Sequence, residues 1–148
     1  MGLIFLWAFI DKLFGLGFAT TSEKSWLSGA SPTASFLQFG VHGPFANFYH
    51  GLAGSGLVDW LFMLGLLFIG LTLTLGIVVR LGTLTGAALL FLMYTAVGIQ
   101  PANHPFIDEH FIEIIVMLLL MFSESGKHLG LGNAWAKTAL VEKYPVLQ

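Results

Sequence analysis

Cysteine is absent from the 148 residues, which removes disulfides, iron–sulfur clusters, thiolate zinc sites and covalent haem attachment together. Charge is nearly as scarce. Six basic and eight acidic side chains make up 9% of the chain, against about 25% in an ordinary soluble domain. That is too little to cover a soluble surface, and six scattered cations with a net charge of −2 form no basic patch for nucleic acid. From Trp60 to Ile99 the chain carries a single charge, Arg80. What is present is apolar: 56% of the residues are hydrophobic. Such a composition predicts an all-α membrane protein. Any redox or transport chemistry must then use His, carboxylates or a diffusible cofactor, and no bound haem, flavin or iron–sulfur cluster is expected.

A hydrocarbon core of about 30 Å needs about 20 helical residues. Residues 2–19, 57–79, 81–99 and 106–122 meet that measure, predicting a polytopic four-transmembrane-helix bundle in one membrane domain, 1–148. Only Val79, Arg80, Leu81 and Gly82 separate the second and third segments, so a tight helical hairpin is expected there. Gly82 supplies the freedom for its turn, and with Gly86 forms a small-residue pair that lets the third helix approach a neighbour. Arg80, Lys127, Lys137 and Lys143 share a side with the amino terminus, while Lys24, Asp108 and Glu109 face the other way. Both termini are therefore expected to be cytoplasmic. Gly17-Phe18-Ala19 offers small residues for signal cleavage, but no cation precedes the apolar run and Asp11-Lys12 interrupts it, so the segment is read as a span.

Residues 20–56 read as an outer interfacial loop. Ser31-Pro32 is an N-cap and first helical residue, and Phe36, Leu37, Val41, Phe45, Phe48, Tyr49 and Leu52 follow at near-helical spacing, broken around Gly43-Pro44. A lid over the bundle is one use for such a segment. The cytoplasmic tail, 126–148, mixes Trp135, Leu140 and Val141 with three lysines and reads as interfacial.

A charge at the centre of a membrane helix costs at least about 2.5 kcal/mol, so it turns inward and takes a partner. Lys12 shares a helix face with Ala8, Gly15 and Ala19, and Asp11 lies beside that face. Either the two charges are packing glue or they belong to a site. The second polar cluster is NHPFIDEHFIE, Asn103 to Glu113, at the outer entrance to the fourth span. Asp108 and Glu109 lie where the helix dipole favours acids, while His110 and Glu113 share a face. Glu113 lies a turn deeper than a cap requires, at a depth that a lysine near the middle of the first helix could reach. The spacing of His104, Asp108, His110 and Glu113 matches no metal motif, so no metal is expected. His42 and His50 read as interfacial side chains and Arg80 as the hairpin's cytoplasmic anchor.

The runs GLIFLWAFIDKLFGLGFAT, WLSGASPTASFL, VDWLFMLGLLFIGLTLTLGIVVRLG and NHPFIDEHFIEIIVML, followed by GKHLGLGNAW, together resemble the DoxX/DoxD family, whose DoxD-like members are subunits of thiosulfate:quinone oxidoreductases. The resemblance covers nearly the whole chain. It implies a four-helix protein of a prokaryotic cytoplasmic membrane that passes electrons from thiosulfate to a diffusible quinone, with tetrathionate as product and a small partner subunit alongside. Asp11, Lys12, Arg80, Asn103, Asp108 and His110 fall on family positions. This chain departs from the expected pattern in having no basic residue before its first helix. The expected division of labour is substrate binding by Asp11, Lys12 and Asn103, and catalysis by Asp108, His110 and Glu113. Two other classes fit the residues: a noncatalytic anchor for a soluble oxidoreductase, and a small transporter, which would need a homo-oligomer to form a path.

Overall fold

The computed structural model describes residues 1–97, 104, 106–123, 125–128 and 130–144, with the backbone alone at Lys127, His128 and Glu142. Asn103, one of the expected substrate-binding residues, lies outside the described residues. Among the described residues the regular structure is all helical. Four long helices, α1 (Gly2–Phe14), α3 (Gly56–Leu75), α4 (Val79–Val97) and α5 (Glu109–Phe122), share one core. The short α2 (Ala46–His50) lies in the loop before α3, and α6 (Ser125–His128), α7 (Gly132–Trp135) and α8 (Ala139–Lys143) divide the tail.

Of the four long helices, α3 and α4 are long and apolar enough to cross a membrane. α1 and α5, at 13 and 14 residues, are shorter than the sequence reading expected. The first helix stops at Phe14 rather than running to Ala19, because Gly15 adopts a left-handed conformation (φ 68°) and its N–H closes onto the Asp11 carbonyl at 2.7 Å. The last begins at Glu109 rather than Phe106, because Asp108 is its N-cap: Oδ1 accepts the Phe111 N–H at 2.9 Å. The hairpin turn also moves. It lies at Gly76–Val78, where Gly76 ends α3 in the left-handed region (φ 71°) and Val78 follows at φ 53°. Gly82, expected in the turn, is instead a packing residue inside α4, seated against Thr72 of α3.

Close glycine contacts fix the register. Gly2 lies against Thr74 and Gly70 against Leu6, so α1 and α3 are antiparallel with Lys12 level with Leu64. Gly86 lies against both Ile69 and Met117, which sets Glu113 level with Leu90 and with Gly65. The core is Phe5, Met63, Leu66, Ile69, Leu90 and Met117, with Ala8, Phe9, Leu13, Trp26 and Ile114 packed around it. By the same register, α1 ends level with residue 62 of α3 and α5 begins level with residue 61. α3 therefore projects beyond them by about 8 Å and α4 by about 5 Å.

The outer segment fills that step. Ser31 caps it as expected, accepting the Ala34 N–H at 3.0 Å, and a π-helical turn (Phe36–Gly40) precedes the break at Gly43 and then α2. Leu37, Val41 and Tyr49 are buried with Ala96 of α4 in a second small core that also takes in Val58 of α3. The amino terminus and the tail meet at the opposite end, beside the α3–α4 turn, where Gly126, Gly130 and Gly132 press on the backbone at Leu75 and Gly76.

Candidate functional site

The candidate residues gather at one end. The crevice at the end holding the α3–α4 turn, about 170 Å³ and lined by residues such as Gly2, Leu73, Gly76, Val79 and Leu120, carries no acidic or basic side chain. At the other end stand Asp11, Lys12, Asp59, Asp108, His110 and Glu113.

Asp108 and His110 form a unit at the mouth of α5. A carboxylate only accepts, so the His110 Nδ1–H donates to Asp108 Oδ2, at 2.7 Å. The other Asp108 oxygen caps the helix. This grip fixes the imidazole and leaves Nε2 available for proton exchange. Both side chains are largely buried, at 12% and 14% exposure. His104 is used locally: its Nδ1 accepts the Phe106 and Ile107 N–H groups at 3.2 and 3.0 Å. Tyr94 of α4 steadies the same approach, donating its hydroxyl to the Phe106 carbonyl at 2.7 Å.

Lys12 and Glu113 occupy one layer. Lys12 is a turn outward of Ala8, which packs on the core, and Glu113 is a turn outward of the buried Met117. Both are half-buried. They form no ion pair within 4.0 Å; among the described residues the ion pair is His110–Asp108. The expected depth match is present and the direct bond is not. Separated by more than contact distance, a cation and a carboxylate at one level can each face a third group.

Asp11 is occupied differently. It is 1% exposed, and its two oxygens accept the Phe18 and Ala19 N–H groups at 3.3 and 3.0 Å. The carboxylate holds the chain as it turns back after Gly15, which makes Asp11 a positioning residue for that turn. Asp59, absent from the candidate residues read in the sequence, plays the equivalent part on α3. At 7% exposure its Oδ1 accepts two hydroxyls, Ser31 at 2.8 Å and Thr33 at 2.6 Å. Its signal was the Ser-Pro-Thr run, whose two hydroxyls needed an acceptor. Among the described residues no three His, Asp or Glu side chains come together as metal ligands would.

Comparison of the chain with protein-family models, with curated proteins and with solved structures finds no match in any of the three.

Proposed function

We propose that the chain is a four-helix membrane subunit of a quinone-linked oxidoreductase that oxidises thiosulfate to tetrathionate, its working end facing out of a prokaryotic cell and both termini in the cytoplasm. The observation that carries the reading is the layer of Lys12 and Glu113, level with each other and joined by no ion pair to one another, below the Asp108–His110 unit. Membrane embedding is supported by the two span-length helices and by large apolar side chains exposed on every long helix, among them Leu3, Trp7, Leu64, Phe91 and Leu119. The shared end of amino terminus and tail, with the basic residues on that side, supports the orientation.

The reaction joins two thiosulfates through a new S–S bond and releases two electrons, which with two protons convert one quinone to the quinol. In this reading Lys12 binds the dianion, His110 and Glu113 deliver protons, Asp108 holds the imidazole, and Asn103 keeps the substrate-binding role that the resemblance implies. Asp11 acts through the turn it anchors. Electrons pass directly from the sulfur donor to the quinone or through a small partner subunit. The test is reduction of a soluble quinone analogue by the purified chain on addition of thiosulfate, with sulfite and sulfide as alternative donors. Lys12→Met and His110→Ala should abolish or sharply lower it, and Lys137→Met on the tail should not. Full activity in Lys12→Met overturns the assignment.

A noncatalytic anchor subunit is the second reading. Its support is that the two most buried carboxylates among the described residues, Asp11 and Asp59, are both engaged in holding loops of their own chain. Quinone reduction seen only after a partner is added would favour it.

A further inference from the structure

We propose that the tail around α7 and α8 lies in the headgroup layer of the cytoplasmic leaflet and binds acidic phospholipids through Arg80, Lys137 and Lys143. The inference rests on the membrane orientation proposed above and not on the redox chemistry. The depth of the tail is set by backbone contacts. Gly126, Gly130 and Gly132 press on the backbone at Leu75 and Gly76, where the span-length α3 ends, and the Leu131 N–H bonds the Leu75 carbonyl at 2.8 Å. Gly126 also lies against Val79, the first residue of α4 and the neighbour of Arg80. The tail is therefore fixed at the level where both span-length helices reach the membrane surface.

The outward side of this tail is apolar where a water-facing segment would be polar. In α8, Val141 is turned in, at 1% exposure, while Leu140 and Tyr144, four residues apart and on one face, are 50% and 48% exposed. Leu131, just before α7, is 57% exposed. Cations are set among these groups. Lys143 shares the face of Leu140 and Tyr144, its ammonium 5.4 Å from the Tyr144 ring centroid, and Lys137 and Arg80 are exposed at the same end. In sequence, Arg80, Lys127, Lys137 and Lys143 stand against Glu124 and Glu142, which leaves this end positive. Apolar groups that enter the acyl boundary beside lysines that reach phosphate are what holds a segment in the interface plane. A zwitterionic headgroup brings its own cation beside each phosphate, so the excess positive charge selects headgroups with net negative charge.

A chain without cysteine lets one thiol report on the tail. In full-length protein in lipid nanodiscs, labelling of Leu140→Cys by a neutral, water-soluble maleimide should run about fivefold slower in discs containing phosphatidylglycerol than in phosphatidylcholine alone. Labelling of Asn47→Cys in α2, at the other end of the bundle, should not respond to lipid charge. Adding Lys137→Gln and Lys143→Gln, both at exposed positions, should remove most of the protection at position 140, and so should about 0.5 M salt. Equal rates at position 140 in the two lipids, as expected if an acidic protein is the partner, overturn the proposal. Protection that persists in the double lysine variant overturns it as well. A chain that does not co-elute with the discs overturns both the tail surface and the membrane reading. The assay uses neither thiosulfate nor quinone, so a failed redox test leaves the tail result standing.

Discussion

The two ends of the bundle are closed by different chemistry. At the end holding both termini the joints are backbone against backbone: Gly126, Gly130 and Gly132 lie on Leu75 and Gly76, and the Leu131 N–H reaches the Leu75 carbonyl at 2.8 Å. At the other end side chains share the joining with backbone: Asp11, Asp59 and Tyr49 each bond across a loop and Asp108 caps α5, beside the His42 N–H on the Ala96 carbonyl at 3.0 Å and Gly15 against Thr21 and Ser22. Glycine closure leaves no room for an added atom, whereas a side-chain closure can be exchanged one hydrogen bond at a time. The tail glycines thus cluster where no charged side chain lines the crevice, and the side-chain bonds of Asp11, Asp59 and Asp108 lie at the end of the charged layer.

Substitutions should separate the two ends by the size of their effect. Gly126→Val drives new methyls into the Gly76 carbonyl and Val79, and should lower stability by about 3 kcal/mol. Its measure is the midpoint of detergent-denaturant unfolding followed by helical circular dichroism. Asp59→Leu strands the Ser31 and Thr33 hydroxyls and should cost about 2 kcal/mol in the same assay, with Asp59→Asn, which retains an acceptor, nearer the parent. Tyr49→Phe removes the hydroxyl that reaches Thr95 and the Leu92 carbonyl, for about 1 kcal/mol. Gly65→Ala, in α3 where a Cβ meets nothing, should stabilise by about 0.5 kcal/mol through helix propensity alone. If Gly126→Val proves mild and Asp59→Leu severe, the contrast between the ends is inverted.

α3 and α4 were legible in the sequence because unbroken apolar length is what a hydropathy reading measures. The ends of α1 and α5 were not. Apolar residues continue past Phe14 as Leu16 and Phe18, and nothing in their spacing reveals that Gly15 turns left-handed. The hairpin turn slid toward Gly76 for the same reason, with Gly82 diverted to packing against Thr72. Among the polar residues, the common depth of Lys12 and Glu113 followed from helical rise. The partners of Asp11 did not, since they are backbone N–H groups seven and eight residues along, which no side-chain pattern encodes. Asp59 was passed over because it stands just before the run from Trp60, whose single charge is Arg80.

In the proposed membrane reading, the step between long and short helices has a consequence for the lipid around it. By helical rise α1 and α5 reach about 20 Å, and α3 and α4 about 30 Å, so a bilayer matched to the long pair is too thick for the short pair. Headgroups and water must sag beside α1 and α5, and Lys12 and Glu113 lie only two and four residues inside those helix ends. A hydrated anion descending there would cross about one helical turn of apolar packing instead of half a membrane. Lengthening the acyl chains of reconstituted vesicles would deepen the mismatch and starve the layer of water, making bilayer thickness itself a control on access.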